Sequence, residues 1–364
     1  MKVAIVCDWL SGIGGAERVV LELHKMFPEA PIYTSQYDPK RIDWFGDADV
    51  RTTWLQKLPK GLKKFLPPLR AWTFSRLNLD DYDVVISSSG AEAKFVKTKP
   101  GTIHICYCHA PTHYYWDRYN EYLKRPGFGW LNPIARLGLL LLVRPMRQWD
   151  WRAAQRPSYF VANSHYTKAQ IKKYYGRDST VIHPPVDVEY FKPREKLERQ
   201  GFVTAGRQTP YKRFDLAVAA CTELNIPLKV IGNGPEHRKL TAMAGPRVMF
   251  LEKVSREEMP RHFGQAEAFI FPGIDDFGIV AVEALAAGTP VIAYGQGGTL
   301  DYIKDGQTGL LFNEQTPDSL IEAVERFQKL KRFSGGAVTK KALAFRAESF
   351  QRNFRKFMGE KLLK

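Results

Sequence analysis

Residues 271–293 read Phe271-Pro272-Gly273-Ile274-Asp275-Asp276-Phe277-Gly278-Ile279-Val280-Ala281-Val282-Glu283-Ala284-Leu285-Ala286-Ala287-Gly288-Thr289-Pro290-Val291-Ile292-Ala293. The stretch parses as the end of a buried strand, a loop with two acids, an apolar helix, a glycine turn and a second buried strand. Glu283 is the one carboxylate inside that helix, flanked by Val282 and Ala284. Burying it without hydrogen-bond donors would be costly. Asp275 precedes it by eight positions, on the loop that enters the helix.

The same alternation extends in both directions. Lys2–Cys7, Asp83–Ser87, Ile103–Tyr107 and Ser158–Ala162 are short apolar runs that suit buried parallel strands. Ala16–Met26 has apolar residues at helical spacing, and the hydrophobic, basic section from Tyr122 to Trp151 is expected to be helical after Pro133. The prolines from His183 to Pro193 mark a linker. A second cycle follows, with strands expected at Gly201–Gly206, Pro227–Gly232, Arg247–Leu251, Glu267–Phe271 and Pro290–Ala293. Two successive β-α alternations predict an α/β chain of two doubly wound parallel-sheet domains. Residues 1–186 are expected to form the first and 187–347 the second, with a helical tail over 348–364. At 364 residues the length suits two domains.

Composition narrows the setting. Four cysteines (Cys7, Cys106, Cys108, Cys221), mostly inside strand candidates, favour a reducing cytosol over a disulfide scaffold. Met1-Lys2 is followed by only five apolar residues before Asp8, so no secretory leader is expected. Leu137–Val143 is far too short for a membrane span, which needs ~20 residues. The net charge of +16 calls for an anionic partner. From Arg51 to Leu79 seven basic residues (Arg51, Lys57, Lys60, Lys63, Lys64, Arg70, Arg76) meet no Asp or Glu and alternate with Trp54, Phe65, Trp72 and Phe74. Such interleaving would serve single-stranded nucleic acid, but no nucleic-acid module accompanies it, and no nucleic-acid partner is expected. Trp54, Leu55, Leu58, Leu62, Phe65 and Leu66 recur near helical spacing, broken by Pro59 and Gly61. With the lysines between them and a second apolar-basic section from Trp130 to Arg147, they predict attachment to an anionic membrane surface. A solvated basic edge over a core-facing stripe is the bland alternative.

Three further loops carry chemistry. Gly12-Ile13-Gly14-Gly15-Ala16-Glu17 lies between the first strand and its helix, where glycines let backbone N–H groups approach an anion. Gly206-Arg207 through Lys212-Arg213 sets two cations just past a strand end, able to neutralise a diphosphate. In His104-Ile-Cys106-Tyr-Cys108-His109-Ala110-Pro111, alternation would put His104, Cys106 and Cys108 on one face. A C-x-C with no second pair is a poor zinc signature, so no metal site is expected.

The Asp275–Glu283 stretch resembles the E-x7-E signature of the retaining glycosyltransferases of family 4, which have the GT-B fold. Here it is D-x7-E, Asp275 being one methylene shorter than the usual Glu. The resemblance spans nearly the whole chain and implies two Rossmann-like domains facing a cleft, the tail helix returning to the first. It implies that Gly14 and Gly15 sit against the donor's diphosphate and sugar, and that Arg207 and Lys212 hold the diphosphate and stabilise it as it leaves. Glu283 would accept from ribose hydroxyls, and Asp275 with the backbone of Phe277, Gly278 and Ile279 would meet sugar and phosphate. The match of His109-Ala110-Pro111 implies that His109 faces the sugar. Asn163-Ser164 also resembles a family pair at a strand end. Tyr114, Tyr115 and Trp116 are read as core packing. Asp8 is a candidate acceptor-side base.

The implied activity is transfer of a hexose with retention, by front-face attack, to a glycan or lipid-linked glycan at the cytoplasmic face of the plasma membrane. Asp-Asp-Phe-Gly-Ile-Val resembles mannosyltransferases of polysaccharide assembly that use GDP-mannose; UDP-sugars are the alternative donors. A nucleotide-sugar epimerase of GT-B fold is the enzymatic rival. No Asp-x-Asp pair falls in the nucleotide-sugar loops, so metal-independent transfer and no cofactor are expected.

Overall fold

A computed structural model describes the chain except for residues 59–66, 128, 194–197, 331–332, 334 and 363–364. It divides into two compact units, Met1–Pro184 with Gln351–Lys364, and Pro185–Phe350.

The first unit contains β1 (Val3–Cys7), α1 (Gly15–Met26), β2 (Ile32–Thr34), β3 (Val50–Thr52), α2 (Pro67–Phe74), β4 (Val84–Ser89), β5 (Ile103–Cys108), α3 (Tyr119–Lys124), α4 (Asn132–Ala154), β6 (Tyr159–Ala162), α5 (His165–Tyr175) and β7 (Ser179–Val181). Its sheet runs β3-β2-β1-β4-β5-β6-β7 with every pairing parallel. All five residues of β1 and all six of β4 are buried. Helices cover both faces of such a sheet, which is why these strands read as continuous runs instead of alternating.

The second unit contains α6 (Val188–Phe191), β8 (Phe202–Ala205), α7 (Phe214–Glu223), β9 (Leu228–Ile231), α8 (His237–Met243), β10 (Val248–Leu251), α9 (Met259–Gly264), β11 (Ala268–Phe271), α10 (Ile279–Ala286), β12 (Val291–Tyr294), β13 (Gly309–Phe312), α11 (Pro317–Lys329) and α12 (Gly335–Ala342). Its parallel sheet is ordered β10-β9-β8-β11-β12-β13. In both sheets the order reverses beside the first strand, between β1 and β4 and between β8 and β11. Ligands of doubly wound sheets bind at the carboxyl ends of the strands at such a reversal.

The last helix, α13 (Ala347–Leu362), adds Phe354, Phe357 and Met358 to the buried set. Its Gln351 amide donates to Glu22 of α1 at 2.6 Å, and Phe357 meets Tyr159 edge-on. The proline-rich stretch after His183 is more ordered than its composition suggests. Val186 pairs with Arg346, its N–H donating to the Phe345 carbonyl at 2.8 Å, and α6 follows at once.

The basic window between Arg51 and Leu79 is partly neutralised by acids outside it. Arg70 is buried against Glu92 at 2.8 Å, and Arg51 pairs with Asp49 at 2.7 Å. Phe74 and Leu55 are core residues, whereas Trp54 and Trp72 are exposed. Pro59, Lys60, Gly61, Leu62, Lys63, Lys64, Phe65 and Leu66 lie outside the described residues.

Candidate active site

In the second unit the chain leaves β8 through Gly206 and the exposed Arg207. Gln208 turns inward and is fully buried, its amide donating to the Gly232 carbonyl at 2.6 Å and its oxygen meeting His237 Nδ1 at 2.9 Å. A 3-10 turn over Pro210–Lys212 leads into α7. The loop after the neighbouring strand β11 packs directly on this turn. A Cβ on Gly273 would lie 2.6 Å from the Tyr211 carbonyl oxygen and 2.8 Å from Lys212 Cα. Only a glycine allows that backbone approach.

The approach brings together two residues 63 positions apart. Lys212 Nζ forms an ion pair with the Asp275 carboxylate, their side chains only 14% and 16% exposed. The ammonium also lies 5.4 Å from the centre of the Phe271 ring. A cation walled by aromatic rings and one carboxylate is poised for an anion, because its solvation is already largely removed.

The loop then reaches Gly278, at φ 83° and with the Tyr302 hydroxyl 2.8 Å from where a Cβ would stand. A left-handed backbone with no room for a side chain requires glycine here. α10 begins at the next residue, without a side-chain cap. Its first N–H groups are thus available to a phosphate. Glu283 is buried in α10, four residues in and so about 6 Å along the axis. Phe277 is packed between the Tyr302 and Phe345 rings at 5.4 and 5.5 Å, so its side chain belongs to the core, and its carbonyl accepts from the Tyr302 hydroxyl at 2.8 Å. The Gly298 N–H donates to the Asp275 carbonyl at 2.8 Å, holding the loop from the β12 side.

In the first unit, Asp8 follows β1 at the sheet reversal. One of its oxygens accepts from Gly90 and Ala91 N–H at 2.7 and 3.0 Å, the other from Ala93 N–H at 2.6 Å. Burial and the nearby Glu92 charge outweigh those donors, and the carboxyl is pushed up to about 6. The candidate base is therefore also the pin that holds the turn after β4. Glu17, in the first turn of α1, is pushed up to about 7, chiefly by burial. It folds back over Gly14, where a Cβ would meet its Oε2 at 2.7 Å. Gly14 is the extended N-cap of α1 and Gly15 its first residue.

His109 follows β5. Its Nε2 is 2.8 Å from Ser88 Oγ, and a Cβ on Gly90 would come within 3.6 Å of its Cβ and 3.9 Å of an Asp8 oxygen. Asp8, Gly90 and His109 are thus neighbours at one strand-end crevice. The Asn163 amide donates to the His109 carbonyl at 2.8 Å, while Ser164 caps α5 by accepting from Thr167 N–H at 2.9 Å. His104, by contrast, is buried on Ser87 at 2.8 Å and its pKa falls to about 3; Cys106 beside it is raised to about 12 by burial. A thiol held protonated in an apolar core is a poor metal ligand.

The family model described as Glycosyltransferase Family 4 matches residues 13–190, and the one described as Glycosyl transferases group 1 matches residues 187–341. The chain belongs to these glycosyltransferases. A D-inositol 3-phosphate glycosyltransferase from Nocardioides sp. is 29% identical over 221 residues, covering 49% of this chain and 48% of that protein. A GDP-mannose-dependent alpha-(1-6)-phosphatidylinositol monomannoside mannosyltransferase from Mycolicibacterium smegmatis is 30% identical over 192 residues, 44% of this chain and 50% of that protein. The chain thus spans about half the length of the curated relatives it matches. Sucrose-phosphate synthase from Thermosynechococcus elongatus superposes with a TM-score of 0.75 at 17% identity over the full length of both chains, a likeness of fold, and the fold is GT-B.

Sequence reasoning missed a buried charge cluster beneath the first-unit crevice. Glu92 pairs with Arg70 and accepts from the Tyr114 hydroxyl. Lys94 pairs with Asp150 at 2.7 Å, and Asp150 also accepts from Thr112, Trp116 and Tyr175 at 3.0, 2.7 and 2.8 Å. The partners are 22 to 56 residues apart, so no local pattern announced them. The aromatics read as packing, Tyr114 and Trp116, are also hydrogen-bond donors to these acids.

Proposed function

We propose that this glycosyltransferase moves a hexose, mannose from GDP-mannose, to a lipid-linked glycan with retention of configuration and without a metal. The observation that carries the reading is the Lys212–Asp275 pair at the sheet reversal, between the loop that also carries the exposed Arg207 and the loop that enters α10 at its uncapped start. On this reading a donor diphosphate takes the place of Asp275 as the counter-ion of Lys212, and Arg207 adds a planar fork. Asp275, released, accepts from a sugar hydroxyl. The two cations and the helix N–H groups then stabilise charge building on the departing diphosphate as the glycosidic bond breaks. The donor phosphate oxygen takes the acceptor proton. Glu283 holds the ribose.

The Mycolicibacterium smegmatis relative, named as GDP-mannose-dependent, supports the donor assignment, as does the Asp-Asp-Phe-Gly-Ile-Val loop. The charge of +16 supports an acceptor displayed on an anionic membrane surface, reached from the cytoplasmic side. Among the described residues no helix is long and apolar enough to cross a membrane. The test is a panel of nucleotide sugars scored for thermal stabilisation and for turnover with and without glycolipid acceptor. Stabilisation and acceptor-dependent turnover by GDP-mannose are expected. Selective response to a UDP-sugar would replace the donor, and conversion of the donor without any acceptor would favour an epimerase.

A further inference from the structure

Helix α4 carries an aliphatic surface that its own unit does not cover. Ile134, Leu137, Leu140, Leu141 and Leu142 are 68%, 58%, 52%, 68% and 52% exposed. Ile134, Leu137 and Leu141 are spaced by three and four and share one side of the helix, flanked by Leu140 and Leu142. The second half of α4 is conventional: Val143, Met146, Asp150, Ala153 and Ala154 are buried. The helix is therefore rooted at its C-terminal half while its first half presents leucines outward. The start of α4 is held to α3, Arg136 donating to the Lys124 carbonyl at 2.6 Å. Arg147 fastens the middle, donating to the Tyr115 carbonyl and lying 4.9 Å from the Tyr119 ring. The apolar face is thus a fixed surface.

Cations rim it. Lys124, Arg125, Arg136, Arg144 and Arg152 are exposed, while Glu121 is the one exposed acid described between residues 118 and 152. Contiguous exposed aliphatics of this extent mark an interaction surface. An apolar face with a basic rim, too short to span, matches the interfacial region of an anionic bilayer. A second copy of the chain fits worse, because a self-complementary contact would set the arginine rims against each other.

We propose that the first half of α4 seats Ile134, Leu137 and Leu141 in the headgroup–acyl boundary of an anionic membrane, with Lys124, Arg125, Arg136 and Arg144 at lipid phosphates. This rests on the membrane part of the reading above and is independent of the donor. Of the two apolar-basic sections expected at the membrane, it assigns the contact to the one that contains the first half of α4 and not to the Arg51–Leu79 window, where Arg51 and Arg70 are already paired.

The test is co-sedimentation of the intact protein with phosphatidylglycerol-containing and pure phosphatidylcholine vesicles. Leu137→Glu/Leu141→Glu should lower binding to anionic vesicles by at least ~10-fold, with melting temperature and nucleotide binding unchanged, since both positions are exposed. Arg136→Gln/Arg144→Gln should lower it roughly 25-fold, each cation contributing about a fivefold factor, and flatten the salt dependence. An environment-sensitive dye on Leu141→Cys should shift to the blue on anionic vesicles; the four native cysteines are buried. Wild-type binding that none of these substitutions alters, but that glutamates at Lys57, Lys60, Lys63 and Lys64 abolish, would overturn the α4 assignment and leave the membrane reading intact. No binding by the wild type would overturn both. Vesicle-free self-association lost in the double leucine variant would assign the face to a second copy instead.

Discussion

The Lys212–Asp275 pair makes a quantitative demand on any account of this site. Lys212→Met keeps the aliphatic stem and removes the charge, leaving Asp275 mostly buried beside Phe271 and without its cation. Breaking a fully buried pair costs about 3–5 kcal/mol. The residual exposure of both side chains, 14% and 16%, admits water and brings the expected loss to about 2 kcal/mol. Asp275→Asn leaves Lys212 an amide acceptor and should cost about 1 kcal/mol. The double variant should be no less stable than Lys212→Met alone, a coupling of at least about 1 kcal/mol. The functional consequences diverge. Lys212→Met should reduce transfer at least ~10²-fold, because a charge on the leaving diphosphate is gone. Asp275→Asn should bind nucleoside diphosphate as tightly as wild type or more so, Lys212 no longer being held by an acid, yet transfer poorly. Denaturant unfolding of the four proteins, calorimetry with the nucleotide and a transfer assay measure all of this. Additive stabilities, or near-normal transfer by Lys212→Met, would refute the reasoning.

Other expectations concern the loops around that pair and the first unit. Gly273→Ala forces a methyl against the Tyr211 carbonyl and should cost about 1–3 kcal/mol, read as a lower melting temperature, together with weaker nucleotide binding. Glu283→Gln should weaken binding of the nucleoside diphosphate itself by about tenfold, whereas Asp275→Asn should not; equal losses by calorimetry would contradict the division between ribose and sugar. Asp8 titrates at about 6 in the fold against 3.8 as its ordinary value, so the folded state holds the proton more tightly. Its contribution, about 3 kcal/mol at most, is complete below 3.8 and is lost as the pH rises through about 6. Asp8→Asn should flatten that segment of the stability–pH curve, and an unchanged slope in pH-dependent unfolding would rule out Asp8 as its source. Transfer should survive EDTA; activity lost on chelation and restored by magnesium or manganese would make Asp275-Asp276 a metal site.

Much of the fold was legible because a parallel sheet covered on both faces leaves apolar runs in the chain. β1, β8 and β11 fall within such runs, and β4 and β5 start in theirs and continue two residues and one residue beyond. β2, β3 and β7 are three residues each, and β13 begins with Gly309; runs that short carry no periodicity, so they went unread. The loop glycines, Arg207, Lys212, Asp275 and Glu283 were named through the resemblance to family 4 glycosyltransferases, which is carried by short contiguous segments at strand ends; residue type and spacing alone left the basic loop and the glycine turn with bland readings. Tertiary structure alone decided which of them meet. Lys212 reaches Asp275 only because Gly273 lets two backbones touch. It also decided which charges are neutral in effect: Arg70 looked uncompensated until Glu92, 22 residues on, was folded beneath it. Leu137 and Leu141 fall in an apolar-basic section that the sequence already set apart, but only packing shows which of its apolar residues face outward and which, such as Val143 and Met146, are buried. Residue type sets what a side chain can do, whereas its partner and its solvent exposure depend on segments distant in the chain.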